Sequence, residues 1–251
     1  MTATGQTPPA SDIAIVVPAY DEERRLPDSV RKIAAFMAAN PRVKELVLVD
    51  DGSRDGTAAV MREAAKASPT VRAVSYRPNA GKGYAVRRGV LEASADLAVL
   101  ISDADLSTPL DDLGALERAL ADHDVAIGSR ALALSRIGVR QAWYRQWMGR
   151  GFNRLMRSIT GLPFSDTQCG FKMFRGEAAK AIFAQATVDR FAWDVEVLLI
   201  ANRLGLSICE VPVRWDNSAD SRVRIFRDSL RMLIDVIRIR LRHGRYRRRR
   251  G

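Results

Sequence analysis

Residues 97–109 read LAVLISDADLSTP, an unbroken apolar run closed by two aspartates one residue apart. Five apolar residues without alternation describe a strand buried on both faces, the mark of a parallel sheet covered by helices. Ligands of such sheets collect beyond the C-terminal strand ends, where these two carboxylates lie. Like charges that close need a proton, a cation or ample water.

The same pattern recurs on either side. Ile13–Val17 is a β-branched run expected to stop at Pro18, and a helix is expected from Pro27 to Ala39. Glu45–Val49 is a second strand, ended by Asp50-Asp51-Gly52-Ser53, with Ser53 or Asp55 placed to cap a helix reaching Ala67. Val71–Ser75 is a third strand, Gly81-Lys82-Gly83 opens a helix to Ser94, and Pro109 starts the helix after the quoted strand. Val125–Ile127 is a fifth strand before Gly128-Ser129-Arg130. Strands alternating with helices predict an α/β fold with a mostly parallel sheet and helices on both faces.

Beyond residue 135 the spacing changes. A helix is expected over 141–160, where Trp143, Tyr144, Trp147 and Phe152 interleave with Arg140, Arg145, Arg150, Arg154 and Arg157. A loop over Gly161–Lys172, helices over 176–185 and 194–204, and one strand over 208–215 follow. The last element, 221–242, sets Phe226, Leu230, Leu233, Ile237 and Leu241 on a single helical stripe.

The chain has 251 residues and a net charge of +11. From Arg222 to the end there are twelve Arg and two Asp, a surplus of +10, so the preceding 221 residues carry only +1. The protein is a nearly neutral body with a basic end. Two cysteines without metal-ligand spacing point to reduced thiols. Two histidines leave little for a His-built metal site or a Ser/His/Asp triad. The opening MTATGQTPPAS lacks the pattern of a signal peptide and is expected to be a flexible lead. No apolar run reaches the roughly 18 residues of a membrane span.

Polar clusters close five strands. In an extended strand i and i+2 share a side, so Asp103 and Asp105 are expected to converge. Hard carboxylate oxygens suit Mg²⁺ or Mn²⁺, and such ions fill their shells with substrate phosphates, although a solvated turn remains the plain alternative. Asp50 stands where an acid accepts hydrogen bonds from a base or ribose. Gly81-Lys82-Gly83 offers a cation and a helix N-terminus to a phosphate, and Arg130 either holds a second phosphate or forms a surface ion pair.

These residues carry a resemblance. VVPAYDEE (16–23), LVDDGSRDGT (48–57), NAGKGYAVRRG (79–89), DADLSTP (103–109) and IGSR (127–130) resemble family 2 glycosyltransferases of the GT-A fold. DTQCGFKMF (166–174), RFAWDVEVLLIANRLG (190–205) and EVPVRW (210–215) are similar to dolichyl-phosphate glucosyltransferases more narrowly, with the mannosyl branch using GDP-mannose as the alternative. The resemblance implies nucleoside contacts from Pro18, Tyr20, Glu22 and Asp50, with Lys82 nearby. It implies Mg²⁺ or Mn²⁺ on Asp103 and Asp105 against the donor diphosphate. Arg130 and the Asp166–Lys172 loop, with Gln168 and Lys172 as its acceptor contacts, would face the sugar and acceptor phosphate, and Asp194 would stand near the reaction centre. Mannosyl members often carry Gln where Ser107 stands, and Ser is the poorer metal ligand.

The implied reaction is inverting transfer of a hexose, from UDP-glucose, to a polyprenyl or dolichyl monophosphate. That nucleophile is already anionic, so Asp194 is not needed as a base. The implied organisation is a lead (1–11), a GT-A catalytic domain (12–220), an amphipathic membrane-surface helix (221–242) and a basic disordered tail (243–251). Arg224, Arg227, Arg231, Arg238 and Arg242 would seat that helix on an anionic membrane surface, placing the protein peripherally on the cytoplasmic face. Nucleic acid is not expected as a partner: the charge is confined to one end, and the site residues at the strand ends include carboxylates.

Overall fold

Apolar side chains of the central strands point alternately to two faces, and the core divides accordingly. The computed structural model describes residues 11–94, 96–137, 143–216 and 225–246. The strands are β1 (Ile13–Ala19), β2 (Val43–Asp50), β3 (Val71–Ser75), β4 (Ala98–Ile101), β5 (Val125–Ser129), β6 (Arg136–Ile137), β7 (Lys172–Phe174), β8 (Ile208–Pro212) and β9 (Arg214–Trp215). The helices are α1 (Leu26–Ala39), α2 (Thr57–Ala67), α3 (Lys82–Glu92), α4 (Leu113–Ala119), α5 (Trp143–Thr160), α6 (Gly176–Phe183), α7 (Trp193–Arg203) and α8 (Ile225–His243).

Seven strands form one sheet in the order β3-β2-β1-β4-β7-β5-β8, and β6 pairs with β9 apart from it. All ladders of the large sheet are parallel except those of β7, which runs antiparallel between β4 and β5. Ala14, Val16, Val47 and Val49 bury against α3, α5, α6, α7 and α8. Ile13, Ile15, Val17, Leu46 and Leu48 bury against α1, α2 and α4. Helices cover both faces, as the continuous apolar runs require.

Three expectations change in detail. Pro18 does not stop the first strand: β1 runs through it to Ala19. Val16 O accepts from Ser102 N at 3.0 Å, so the even residues face β4. Their ladder ends at Val16–Ile101, and Pro18 lacks an N–H only where no partner strand remains. The strand expected over 208–215 divides after Pro212, β8 staying on β5 while β9 joins β6. The helix expected from Pro109 starts instead as a 3₁₀ turn over Leu110–Asp112, followed by α4.

The two expected stripes also settle differently. Nine consecutive residues of α7, Trp193–Ala201, are buried, so this helix is core on every side. On α8 the core face is Val236 and Ile239, with Met232 and Leu233 beside them, while Ile237 and Leu241 of the expected stripe are exposed. Beyond α8, Tyr246 N donates to Thr160 O at 2.9 Å and its ring meets Phe164 edge-on. Residues 1–10, 217–224 and 247–251 lie outside the described residues, as do Arg140 and the side chains of Trp143, Tyr144, Arg145, Trp147, Arg150, Phe152, Phe226, Arg227 and Leu230.

Candidate active site

The loops after β1 and β2 are stitched to each other first. Asp21 N donates to Ser53 Oγ at 2.9 Å, Arg54 N donates to Asp21 Oδ1 at 2.7 Å, and Glu22 N donates to Thr57 Oγ1 at 2.7 Å. Asp50, almost fully buried, accepts Ser53 N at 2.9 Å. Glu22 grips the Arg25 guanidinium through both oxygens, at 2.7 and 2.8 Å. Pro18 and Asp50 stand at the paired ends of β1 and β2, and Tyr20 and Glu22 continue from β1 into the loop stitched to the one after β2, so the four form one wall of chain at the strand ends.

Asp51 does more than turn the chain. Its carboxylate accepts Tyr76 Oη at 2.9 Å, Asn79 Nδ2 at 2.8 Å, Ala80 N at 2.8 Å and Gly81 N at 3.0 Å. Four donors on one buried carboxylate fix the loop that launches Lys82. Nothing local in Asp-Asp-Gly-Ser reveals these partners 25 to 30 residues away.

Lys82 Nζ lies 2.6 Å from Asp103 Oδ1. Burial disfavours the Lys82 charge, but Asp103, Asp194 and Asp105 outweigh it and hold the ammonium pKa above its usual value. Burial likewise opposes the Asp103 charge; Lys82, Lys172 and Arg130 together hold its pKa below the ordinary carboxylate value. Asp103 and Asp105 do not lie on an extended strand, as the i, i+2 argument expects. β4 ends at Ile101, and Leu106, with φ 49°, donates its N–H to Asp103 O at 3.0 Å to close a turn. Ser107 N holds Asp105 Oδ1 at 3.0 Å. The turn still presents both carboxylates to Lys82.

The chain around Gly170 closes over Asp103. A Cβ at Gly170 would stand 2.2 Å from Asp103 Oδ2, so only glycine leaves that carboxylate its place. Gly170→Ala is expected to lower kcat at least tenfold with a Tm drop of a few degrees, measured by steady-state transfer and thermal unfolding. Parent-like turnover would show that Asp103 need not occupy its present position.

Arg130 meets Asp166 in a fork, Nε–Oδ2 at 2.6 Å and Nη2–Oδ1 at 3.0 Å, with its guanidinium 5.4 Å from the Trp215 ring centre. Glu210 in turn accepts the backbone N–H groups of Ser165 and Asp166, at 2.9 and 2.8 Å. β7 carries Lys172 to the floor, where it is fully buried. Its Nζ donates to Asp194 Oδ1 and to Cys169 O, both at 2.5 Å, and lies 5.3 Å from the Trp193 ring centre. Burial raises the Asp194 pKa, and Lys172 offsets only part of that effect. Gln168 points elsewhere, its Nε2 donating to Met232 Sδ of α8.

The structure thus joins Lys82, Asp103, Asp105, Arg130, Lys172 and Asp194 into one alternating charge cluster, with Gln168 at its margin. Sequence reading missed Asp51, Asp166 as the partner of Arg130, and Gly170. The donor set suits a divalent cation through the hard oxygens of two carboxylates, and an ion held there would compete with Lys82 for Asp103. Among the described residues no three His, Cys, Asp or Glu cluster as ligands, so a bound ion would complete its shell with substrate oxygens and water.

The chain and its fold match known proteins. Residues 14–183 match the family described as "Glycosyl transferase family 2". This chain belongs to glycosyl transferase family 2. The transferase is 32% identical over 244 residues to the dolichyl-phosphate beta-glucosyltransferase of Dictyostelium discoideum, covering 92% of this chain and 74% of that one. It is 33% identical over 249 residues to the dolichyl-phosphate beta-glucosyltransferase of Homo sapiens, covering 94% and 76%. Among solved structures, it superposes on glucosyl-3-phosphoglycerate synthase from Mycobacterium tuberculosis in complex with UDP. The TM-score is 0.68 at 21% identity, over 95% of this chain and 82% of that one. For mannosyl-3-phosphoglycerate synthase from Rubrobacter xylanophilus the TM-score is 0.71 at 18% identity, over 96% and 77%. These structural likenesses establish the GT-A fold of the transferase.

Proposed function

We propose that this transferase moves glucose from UDP-glucose to a polyprenyl monophosphate such as dolichyl phosphate, giving a β-linked lipid-phosphate sugar. One observation carries the choice of branch. The similarity to dolichyl-phosphate beta-glucosyltransferases spans 92–94% of the chain, beyond the family match that ends at residue 183. It therefore extends across Asp194, Glu196 and the strand pair at Trp215.

The wall of Pro18, Tyr20, Glu22 and Asp50 holds the nucleoside in this reading, and Lys82 meets the diphosphate. Asp103 and Asp105 would hold the divalent cation, Mg²⁺ or Mn²⁺, whose chemistry when bound is to neutralise charge on the departing nucleoside diphosphate. Arg130, preset by Asp166, faces the acceptor phosphate and keeps two anionic substrates from repelling each other. Lys172 acts from the floor, contributing positive potential rather than direct contact, since none of it is exposed. The acceptor phosphate oxygen attacks C1 of glucose in line, the C1–O bond to the diphosphate breaks, and configuration inverts. No proton has to be removed.

This gives a pH expectation. A phosphate monoester gains its second charge near pH 6. Below that, kcat/KM is expected to fall about tenfold per pH unit as the dianion is protonated. Asp194→Asn should keep that acid limb and cost less than tenfold in kcat. A pH–rate profile that loses the limb in Asp194→Asn would make Asp194 the base.

We also place the protein peripherally on the cytoplasmic face of a membrane. No helix among the described residues is long and apolar enough to cross one. Ile234, Ile237 and Leu241 are exposed along one flank of α8, with Arg231, Arg238 and Arg242 exposed on the next. That pairing suits an anionic interface. The deciding assay offers polyprenyl phosphate with radiolabelled UDP-glucose, GDP-mannose and UDP-GlcNAc in parallel. Lipid-soluble product from UDP-glucose supports the proposal; product from GDP-mannose alone assigns the mannosyl branch, and none from any donor refutes the function.

A further inference from the structure

A cavity of about 350 Å³ lies outside the catalytic cluster, between residues 187–190, α7 and the C-terminal half of α8. Three arginines are among its lining residues, Arg190, Arg238 and Arg242. Its acids are largely committed elsewhere. Asp189 is held by Arg87 at 2.7 Å. Glu196, fully buried, accepts Thr187 N, Thr187 Oγ1 and Val188 N at 2.8 Å each and lies 3.2 Å from His243 Nε2. Only Asp235 remains, 3.5 Å from Arg238. Arg242 donates to the Thr187 hydroxyl, and the Arg190 guanidinium has no ion pair or hydrogen bond among the described residues, although its backbone O accepts Trp193 N at 3.4 Å. With Asp189 paired to Arg87, the three arginines exceed Glu196 and Asp235 by one charge, and the Arg190 guanidinium keeps free N–H donors, the chemistry that recognises a phosphate group.

We propose that this cavity binds the phosphate of an anionic lipid headgroup, at a site distinct from the catalytic cleft. The inference rests on the membrane-surface placement of α8. It goes further by naming a pocket and a ligand group where that placement needs only a charged face. The source is lipid rather than soluble phosphate because the arginines continue into the exposed Ile234, Ile237 and Leu241 on the adjoining flank of the same helix. A headgroup in the cavity leaves its acyl chains beside that apolar flank. The site also touches the donor loop: a Cβ at Gly81 would stand 2.4 Å from Asp189 O, and one at Gly83 2.3 Å from Val188 O. Residues 187–190 thus lie between the cavity and Lys82, so a membrane lipid bound there braces the loop under the nucleotide sugar.

The test is co-sedimentation of the full chain with phosphatidylcholine vesicles, with and without phosphatidylglycerol. Arg190→Gln/Arg242→Gln is expected to weaken binding to the anionic vesicles about 30-fold, from two basic residues at roughly 1 kcal/mol each. Arg62→Gln/Arg203→Gln removes the same charge elsewhere and should change binding less than threefold. Thr187→Glu, which leaves every arginine in place, should weaken it at least tenfold. Parent binding with Arg190→Gln/Arg242→Gln indistinguishable from the control pair overturns the inference alone. Failure of the parent to bind either vesicle overturns the membrane placement as well. A third arm measures thermal stabilisation by inorganic phosphate. If the cavity variants lose it while still binding vesicles like the parent, the site serves soluble phosphate and the lipid assignment falls. Transfer to detergent-dispersed acceptor, measured in parallel, should persist in all variants.

Discussion

Asp103→Asn is expected to lower kcat for glucosyl transfer by on the order of 10³-fold or more, with little change in fold. The size follows from the convergence on this carboxylate. Lys82 at 2.6 Å, with Lys172 and Arg130 nearby, keeps it ionised. Removing its charge takes away one of two carboxylates available to a divalent cation and leaves Lys82 without its partner. Loss of a preorganised electrostatic contact to developing charge costs 10²–10³-fold in typical cases, and loss of a metal ligand adds to that. Far-UV circular dichroism should stay parent-like while titration with Mn²⁺ no longer saturates. Transfer within tenfold of the parent, with the same metal dependence, would remove Asp103 from the proposed metal site.

The second large effect is on stability. Lys172→Met is expected to cost about 3–5 kcal/mol, because it leaves Asp194 buried without its cation. Both side chains are inside, at 0% and 8% exposure, so solvent screening is slight. A loss of that size approaches the whole stability of many domains. Lys172→Met/Asp194→Leu should recover most of it, since a buried pair replaced by apolar groups is often neutral. Urea unfolding of both singles and the double gives the coupling energy directly. A single-variant cost under 1 kcal/mol would show that water reaches the pair. The double variant should still transfer poorly, because Lys172 helps set the charge of Asp103.

Much of the candidate site was legible from strand ends alone. Asp50, Lys82, Asp103, Asp105 and Arg130 each follow an apolar run or open a helix, and the parallel sheet gathers such positions at one edge. Asp194 and Lys172 needed the family resemblance, since neither sits at a recognisable strand end in the linear pattern. Lys172-Met173-Phe174 is a three-residue strand inserted antiparallel, too short to register beside the loop before it. The particular roles of Asp51, Asp166 and Gly170 were missed for a common reason, although the resemblance brought the 166–172 loop to the site. Each acts on a residue distant in sequence: Asp51 on Gly81, Asp166 on Arg130 and Gly170 on Asp103. The buried face of α8 is rotated from the expected stripe, because Val236 and Ile239 found the core while Ile237 and Leu241 did not.

By itself the sequence determined the alternation of strands and helices, the two-sided burial of the sheet, the edge where ligands gather and the basic end. Those follow from hydrophobic periodicity and local charge, which are properties of neighbouring residues. Tertiary structure alone decided which charges pair. It set Lys82 on Asp103 and Lys172 on Asp194, turned Asp103 and Asp105 out of the strand, and opened the arginine cavity beneath α8. Pairing depends on ångström-scale distance and burial between residues far apart in the chain, and no local pattern encodes that.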